Sequence, residues 1–223
     1  MGADVPKQFL MLKDRHILQR TISVFQNISL VDEIIVAVPD GYAQTVAGYG
    51  FDKVSNIVEG GKSRADSVYA ALKTLLQDTE IVLIHDGVRP FVTEELVQAV
   101  VDAAKTYGAA VACAPITDTI KSVQTCNSPA TLVPHAFISA TLDRNQLYSA
   151  QTPQGFTYDI IKRAYQQGEK DGILNQTTDD SNLVERLGLP VVIVPSNPKN
   201  IKITTATDMA IATVLLETGE LLK

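Results

Sequence analysis

Glu80-Ile-Val-Leu-Ile-His85-Asp-Gly-Val-Arg-Pro90 joins four aliphatic residues to a turn that carries a carboxylate and a guanidinium. A short, continuous apolar run bounded by Gly87 and Pro90 reads as a strand buried on both faces. Such a strand needs helices on either side, and the flanking sequence supplies them. Upstream, Ser63 reads as the N-cap of a helix running to about Leu76, with Val68, Ala71, Leu72 and Leu75 on one face. Downstream, Thr93-Glu-Glu-Leu opens a helix to about Tyr107, with Thr93 as cap and two acids in the first turn.

The same alternation extends outward. Ile17–Phe25 has helical spacing through Ile17, Leu18, Ile22 and Phe25. Glu33–Val38 reads as a strand closed by Pro39-Asp-Gly41, and Val54–Val58 as another, followed by Gly60-Gly61. Ala109–Ala114 is a strand that stops at Pro115, and Val191–Val194 is a further one. Tyr158–Gln167, Ser181–Leu187 and Thr205–Leu216 read as helices. This rhythm predicts an α/β fold with a mostly parallel sheet covered by helices on both faces. Residues 118–143 break it. Two extended runs, Thr119–Val123 and Thr131–Val133 or later, predict a hairpin projecting from the sheet. It is either an arm that packs on a second subunit or a surface insertion. With no repeat and no linker, 1–223 reads as a single domain with an arm at 118–143.

Composition narrows the function. The 223 residues are 45% hydrophobic and 20% charged, which excludes a disordered chain. A net charge of −6 excludes a broad nucleic-acid surface, because phosphate backbones demand clustered Lys and Arg. Apolar runs such as Ile81–Ile84 and Val191–Val194 are far too short to span a bilayer, and no secretory signal pattern opens the sequence. Cys113 and Cys126 form no CxxC pair and are expected to be plain thiols in a reducing, cytoplasmic compartment. The motifs HExxH and GxSxG, a Walker loop and a paired Cys/His set are all missing, so zinc or covalent catalysis has no support.

A few polar residues stand out against this background. Lys7 follows Pro6 on a stiff loop, where an ammonium suits a phosphate or is simply solvated. Gly60, Gly61 and Ser63 lead into a helix N-terminus, which favours an anion or the polar edge of a base; Ser67 lies one turn further on and could face the same ligand. The alternative is an ordinary glycine turn with a serine cap. Asp86 lies just beyond a strand's carboxyl end, the rim where open α/β sheets bind ligands. It can hold a divalent cation, and Arg89 can grip an oxyanion, or the two can pair and close the turn. His85 is expected to pack inward. Asp118-Thr-Ile-Lys121 and Leu142-Asp-Arg-Asn145 bracket the arm, while Thr152-Pro-Gln154 and Thr178-Asp-Asp180 are expected just before helices. Lys202, between Ile201 and Ile203, needs a partner or a ligand.

Taken in order, PKQFL (6–10), GGKSRADSV (60–68), HDGVRP (85–90), APITDTIK (114–121), LDRNQLYSAQTPQGF (142–156), TDDSNLVERLG (178–188) and NIKITTATDM (200–209) resemble the 2-C-methyl-D-erythritol 4-phosphate cytidylyltransferase family. The resemblance implies a Rossmann-like nucleotidyltransferase fold and transfer of a cytidylyl group from CTP to a sugar-alcohol phosphate, with Mg²⁺ assistance and release of pyrophosphate. It also implies a homodimer whose arms complete each other's sites. By this resemblance Lys7 stabilises charge on the CTP phosphates, and Gly61, Arg64 and Ser67 line the cytosine and ribose pocket. Asp86 lies near Mg²⁺ with Arg89 beside it, and Thr119 and Arg144 hold the acceptor phosphate from the opposite subunit's arm. Thr152 and Thr178 line the site, and Lys202 positions the acceptor. The chemistry agrees, since nucleotidyl transfer needs in-line positioning and placed positive charge rather than a general base.

The sequence departs from the family at its start. The family opens with a strand and a glycine-rich loop of the form A-A-G-x-G-x-R-M-G before PKQ, and this sequence begins at Met1-Gly2. The expectation is a late start, two strands with unpaired edges, and weak CTP binding and little turnover for a chain beginning at Met1. Asp86 is followed by Gly87-Val88 rather than two small residues, and the arm is longer than usual. Two other readings stay open. VRPFVT (88–93) and KITTATD (202–208) suit the ribitol-5-phosphate cytidylyltransferases, whereas RADSV, APITDTIK and LVERLG favour the methylerythritol family. The second is a catalytically impaired nucleotide-binding homologue.

Overall fold

A computed structural model describes residues 5–126 and 135–218. Met1-Gly2, Asp4 and the expected run Thr131–Val133 lie outside the described residues. After a 3-10 turn at Lys7–Phe9 come a two-residue hairpin, β1 (Met11–Leu12) and β2 (Arg15–His16), then α1 (Ile17–Asn27), β3 (Ile34–Val38), α2 (Ala43–Ala47), β4 (Val54–Glu59) and α3 (Arg64–Leu72). The chain continues through β5 (Ile81–Ile84), α4 (Glu94–Tyr107), β6 (Ala109–Pro115), the arm strands β7 (Lys121–Cys126) and β8 (His135–Thr141), and β9 (Tyr148–Thr157). It closes with α5 (Tyr158–Lys170), α6 (Asp180–Arg186), β10 (Val192–Pro195) and α7 (Ala206–Thr218).

The main sheet has the order β10-β6-β9-β5. β10 runs parallel to β6, with Val192 opposite Ala110, while β9 is antiparallel to both β6 and β5. Thus β5, β6 and β10 share one direction, as expected, but β9 runs against them between β6 and β5, so the sheet is mixed and only its β10–β6 ladder is parallel. Helices cover both faces. Val100 and Ala104 of α4 pack on Ala110 and Ala112, while Ile161 and Tyr165 of α5 and Val184 of α6 pack around Phe156. Each fully buried aliphatic side chain contributes about 1.5–3 kcal/mol relative to exposure.

The structure differs from the sequence reading in local details. Thr152-Pro153-Gln154 lies inside β9, not before a helix. Pro153 is tolerated there because the β6–β9 register shifts between Val111 and Cys113, which spares the ladder an amide it cannot supply. α3 stops at Leu72, short of Leu76. The arm is an antiparallel hairpin pairing Lys121 with Thr141; its first strand starts two residues after Thr119 and its second at His135. Val123, Phe137 and Ile138 are exposed along it.

β3 pairs only with β4, in a separate two-stranded parallel sheet. β3 and β5 both line one slot of about 870 Å³, floored by Leu18, Ile22 and Phe25 and roofed by Val68 and Leu72. Each presents to it an edge with no strand partner among the described residues, as the sequence reading anticipated.

Candidate active site

The end of β5 is tied to β9 through a chain of hydrogen bonds. The Asp86 amide donates to Thr152 Oγ1 at 3.1 Å, and Thr152 Oγ1 lies 3.1 Å from His85 Nδ1. His85 Nε2 lies 3.0 Å from the Arg89 carbonyl oxygen. A carbonyl only accepts, so Nε2 carries a proton. Burial keeps His85 neutral near pH 7, so Nδ1 accepts from the Thr152 hydroxyl; the ring lies against Phe25 at 4.8 Å between centroids. Burial pushes its pKa down from 6.5 to about 4. The unfolded chain gains a proton near pH 6.5 that the folded chain refuses until about 4, so stability falls as pH drops through that interval. Urea midpoints measured at pH 7, 5.5 and 4 should decline for the parent. His85→Gln should stay flat down to the range where carboxylates titrate, and equal declines would remove His85 as the cause.

Asp86 is the hub of a cationic cluster. Arg64 Nε lies 3.0 Å from Oδ1, Arg89 Nε 3.2 Å from Oδ2 and Lys202 Nζ 3.0 Å from Oδ2. Burial alone would raise the Asp86 pKa, but the Arg64 and Lys202 charges outweigh it and hold the carboxyl well below the ordinary carboxylate range. Arg89, buried, also donates from Nη1 to the Asn200 carbonyl at 2.8 Å, which fixes the NIKIT segment against the turn. Arg64 Nη2 reaches Asp180 Oδ2 at 2.7 Å. Three cations against two carboxylates leave the cluster at +1. The Lys202 side chain is 41% exposed, so the net positive charge faces solvent on that side, where an anion would be attracted.

The other expected residues fall into three groups. Gly61 and Ser67 shape the loop before α3: the Gly61 amide donates to Ser67 Oγ at 3.1 Å, and that hydroxyl donates to the Ser63 carbonyl at 2.9 Å. A Cβ at Gly61 would sit 2.3 Å from Asp66 Cβ, so only glycine lets the loop close on the capping box of Ser63 and Asp66. The Ser67 hydroxyl is thus engaged in the loop itself, and the Thr152 hydroxyl in aligning Asp86. Lys7 is exposed on its 3-10 turn; Phe9 of that turn is buried in the same apolar cluster as Val38, the end of β3, and Leu10 packs against a second cluster that Val88 and Ile201 also flank. Thr119 and Arg144 lie at the base of the arm, both exposed, with Arg144 Nη1 donating to the Thr117 carbonyl at 3.0 Å. Neither joins the Asp86 cluster within this chain. Thr178 is exposed, just ahead of Asp179, the N-cap of α6.

Two further residues complete the cluster: Asp180, which the sequence reading placed just ahead of a helix without naming a partner, and Tyr165, which it did not single out. Asp180 has a fully buried side chain, and Tyr165 donates to its Oδ1 at 2.5 Å. An Asp beside an N-cap carries no sequence signal of a partner 116 positions away.

A resident divalent cation does not fit these residues. Mg²⁺ wants open oxygen ligands in near-octahedral array. Here both Asp86 oxygens face cations, Asp180 is enclosed, and the cluster is net positive. Among the described residues, no three His, Cys, Asp or Glu side chains converge.

The family model for 2-C-methyl-D-erythritol 4-phosphate cytidylyltransferase matches residues 1–218. A relative of that name from Syntrophus aciditrophicus is 41% identical over 225 residues, covering 99% of this chain and 92% of its own. Among solved structures, the 2-C-methyl-D-erythritol 4-phosphate cytidylyltransferase of Thermus thermophilus superposes with a TM-score of 0.78 at 31% identity, covering 95% of this chain and 94% of that one. The 4-diphosphocytidyl-2C-methyl-D-erythritol synthase of Anaerococcus prevotii gives 0.83 at 27% identity, covering 97% and 92%. A match that spans nearly the whole chain and includes every segment of the Asp86 cluster places this protein in the 2-C-methyl-D-erythritol 4-phosphate cytidylyltransferase family.

Proposed function

We propose that the chain transfers a cytidylyl group from CTP to 2-C-methyl-D-erythritol 4-phosphate. An oxygen of the acceptor phosphate attacks the α-phosphorus of CTP. A new P–O bond forms there as the bond to the bridging α–β oxygen breaks, and pyrophosphate leaves with the electron pair. The observation that carries this reading is the net-positive cluster of Arg64, Arg89 and Lys202 around Asp86 at the end of β5. A phosphate monoester is already ionised at neutral pH, so the protein's work is to gather two anions in line and to stabilise charge as it develops. Lys7 serves the leaving pyrophosphate and Lys202 the acceptor phosphate. Arg64, the first residue of α3 behind the loop that Gly61 closes, faces the nucleoside side with Thr178 at its margin. Mg²⁺ comes as the complex of the CTP triphosphate rather than through a protein-held site.

The single domain, 1–223, works as a cytoplasmic homodimer. Arg144 and Thr119 stand apart from Asp86 in their own chain and reach a partner's acceptor phosphate through the arm, whose exposed Val123, Phe137 and Ile138 supply the contact surface. Pyrophosphate release tests the activity. It is expected with CTP and 2-C-methyl-D-erythritol 4-phosphate. Release with ribitol 5-phosphate instead would move the chain to that chemistry, and release with neither would leave a catalytically impaired nucleotide-binding homologue.

A further inference from the structure

We propose that Tyr165 and Asp180 are positioning residues that lock the guanidinium plane of Arg64, a reading that rests on Arg64 meeting the nucleotide. Asp180 sits at the first turn of α6 with its side chain 0% exposed. An uncompensated carboxylate there would be very costly, so its partners define its role. Oδ2 accepts from Arg64 Nη2 at 2.7 Å and Oδ1 from the Tyr165 hydroxyl at 2.5 Å. The Asp180 amide donates to Gln154 Oε1 at 3.1 Å, which ties the helix start to β9. Tyr165 cannot drift, because its ring is fully buried in the core of α5 and stacks on Tyr69 at 5.5 Å between centroids.

Arg64 is thereby held at two points of one rigid plane, Nη2 on Asp180 and Nε on Asp86. Two contacts on a planar fork fix its rotation as well as its place. Neither uses Nη1, and 33% of the Arg64 side chain stays open to the rim. The Tyr165–Asp180 post therefore converts a flexible side chain into a preset pair of N–H donors for the nucleotide. The saving is entropic: without the post, binding must itself immobilise Arg64.

The test is Tyr165→Phe, which removes one oxygen and keeps the ring. In the ligand-free protein, the Arg64 Nη resonances should be resolved and slow to exchange in the parent and should broaden or average in the variant. In turnover, KM for CTP should rise about tenfold with kcat and the acceptor KM within about twofold, the scale of one hydrogen bond to a charged group. Unchanged Arg64 resonances overturn the proposal, as does a fall in kcat with CTP KM unmoved. A parent with resolved Arg64 resonances but no CTP turnover would fail the transferase reading alone. If Tyr165→Phe does not fold, as judged by circular dichroism, Asp180→Asn is put through the same measurements with the same expected directions.

Discussion

Asp86→Asn is expected to lower the unfolding free energy by about 3–5 kcal/mol, the range for breaking one side of a buried ion pair, and to abolish measurable turnover. The carboxylate is shared by three cations within 3.2 Å. They do not suffer equally when it goes. Arg64 keeps Asp180, and Lys202 can turn to solvent. Arg89 is left buried without the counter-charge that Asp86 supplied, its Nη1 still on the Asn200 carbonyl. The cost therefore falls on Arg89, and Asp86→Asn combined with Arg89→Met should regain most of the lost stability without regaining activity. Urea denaturation of the two variants checks this; a loss below about 1 kcal/mol for Asp86→Asn, as for exposed pairs, would show that the cluster is not the support it looks to be. Acid should reproduce the effect. Because the folded pKa of Asp86 is depressed, its contribution is present in full above the ordinary carboxylate range and is lost as pH falls below about 4. That loss sets in where the His85 effect ends.

Helix α4 was legible to the residue because its ends are chemical. Thr93 caps it by accepting from the Leu96 amide, and Gly108 closes it at φ 88, a conformation few other residues adopt. Strand β9 was not legible. Its buried run contains Gln151, Thr152 and Gln154, and Pro153 argues against a central strand. Those polar residues are satisfied from far along the chain: Gln154 binds the start of α6, and Gln151 binds Ser196 and Asn200. Local hydropathy cannot register such partners. The site divides the same way. The need of Lys202 for a partner could be read from Ile201 and Ile203, and the rim position of Asp86 from the strand before it. That one carboxylate answers Arg64, Arg89 and Lys202 together depends on tertiary placement alone. Of the readings the sequence left open for the turn, the structure shows the Asp86–Arg89 pair.

Lys202→Met should separate fold from function. Among the described residues the Lys202 ammonium makes one ion pair, to Asp86, from a side chain 41% exposed, and its flanking residues are held independently: Ile203 is buried in the cluster of Leu12, Ile17 and Phe91, and its amide donates to the Val88 carbonyl at 2.9 Å. A half-exposed pair of this kind contributes at most about 1 kcal/mol, and the methionine stem preserves the packing, so the thermal midpoint should move by only a few degrees. Turnover should drop by about 10²–10³-fold, the cost of removing one preset donor from a developing charge. The loss should fall on kcat and on the acceptor's KM, with CTP binding nearly unchanged, if Lys202 serves the acceptor and Arg64 the nucleoside as proposed. Lys202→Arg should recover part of the rate, since charge is retained while the reach and shape of the donor change. If Lys202→Met unfolds the protein, the ammonium is a structural counter-ion to Asp86; if it folds and raises the CTP KM instead, donor and acceptor sides must be exchanged.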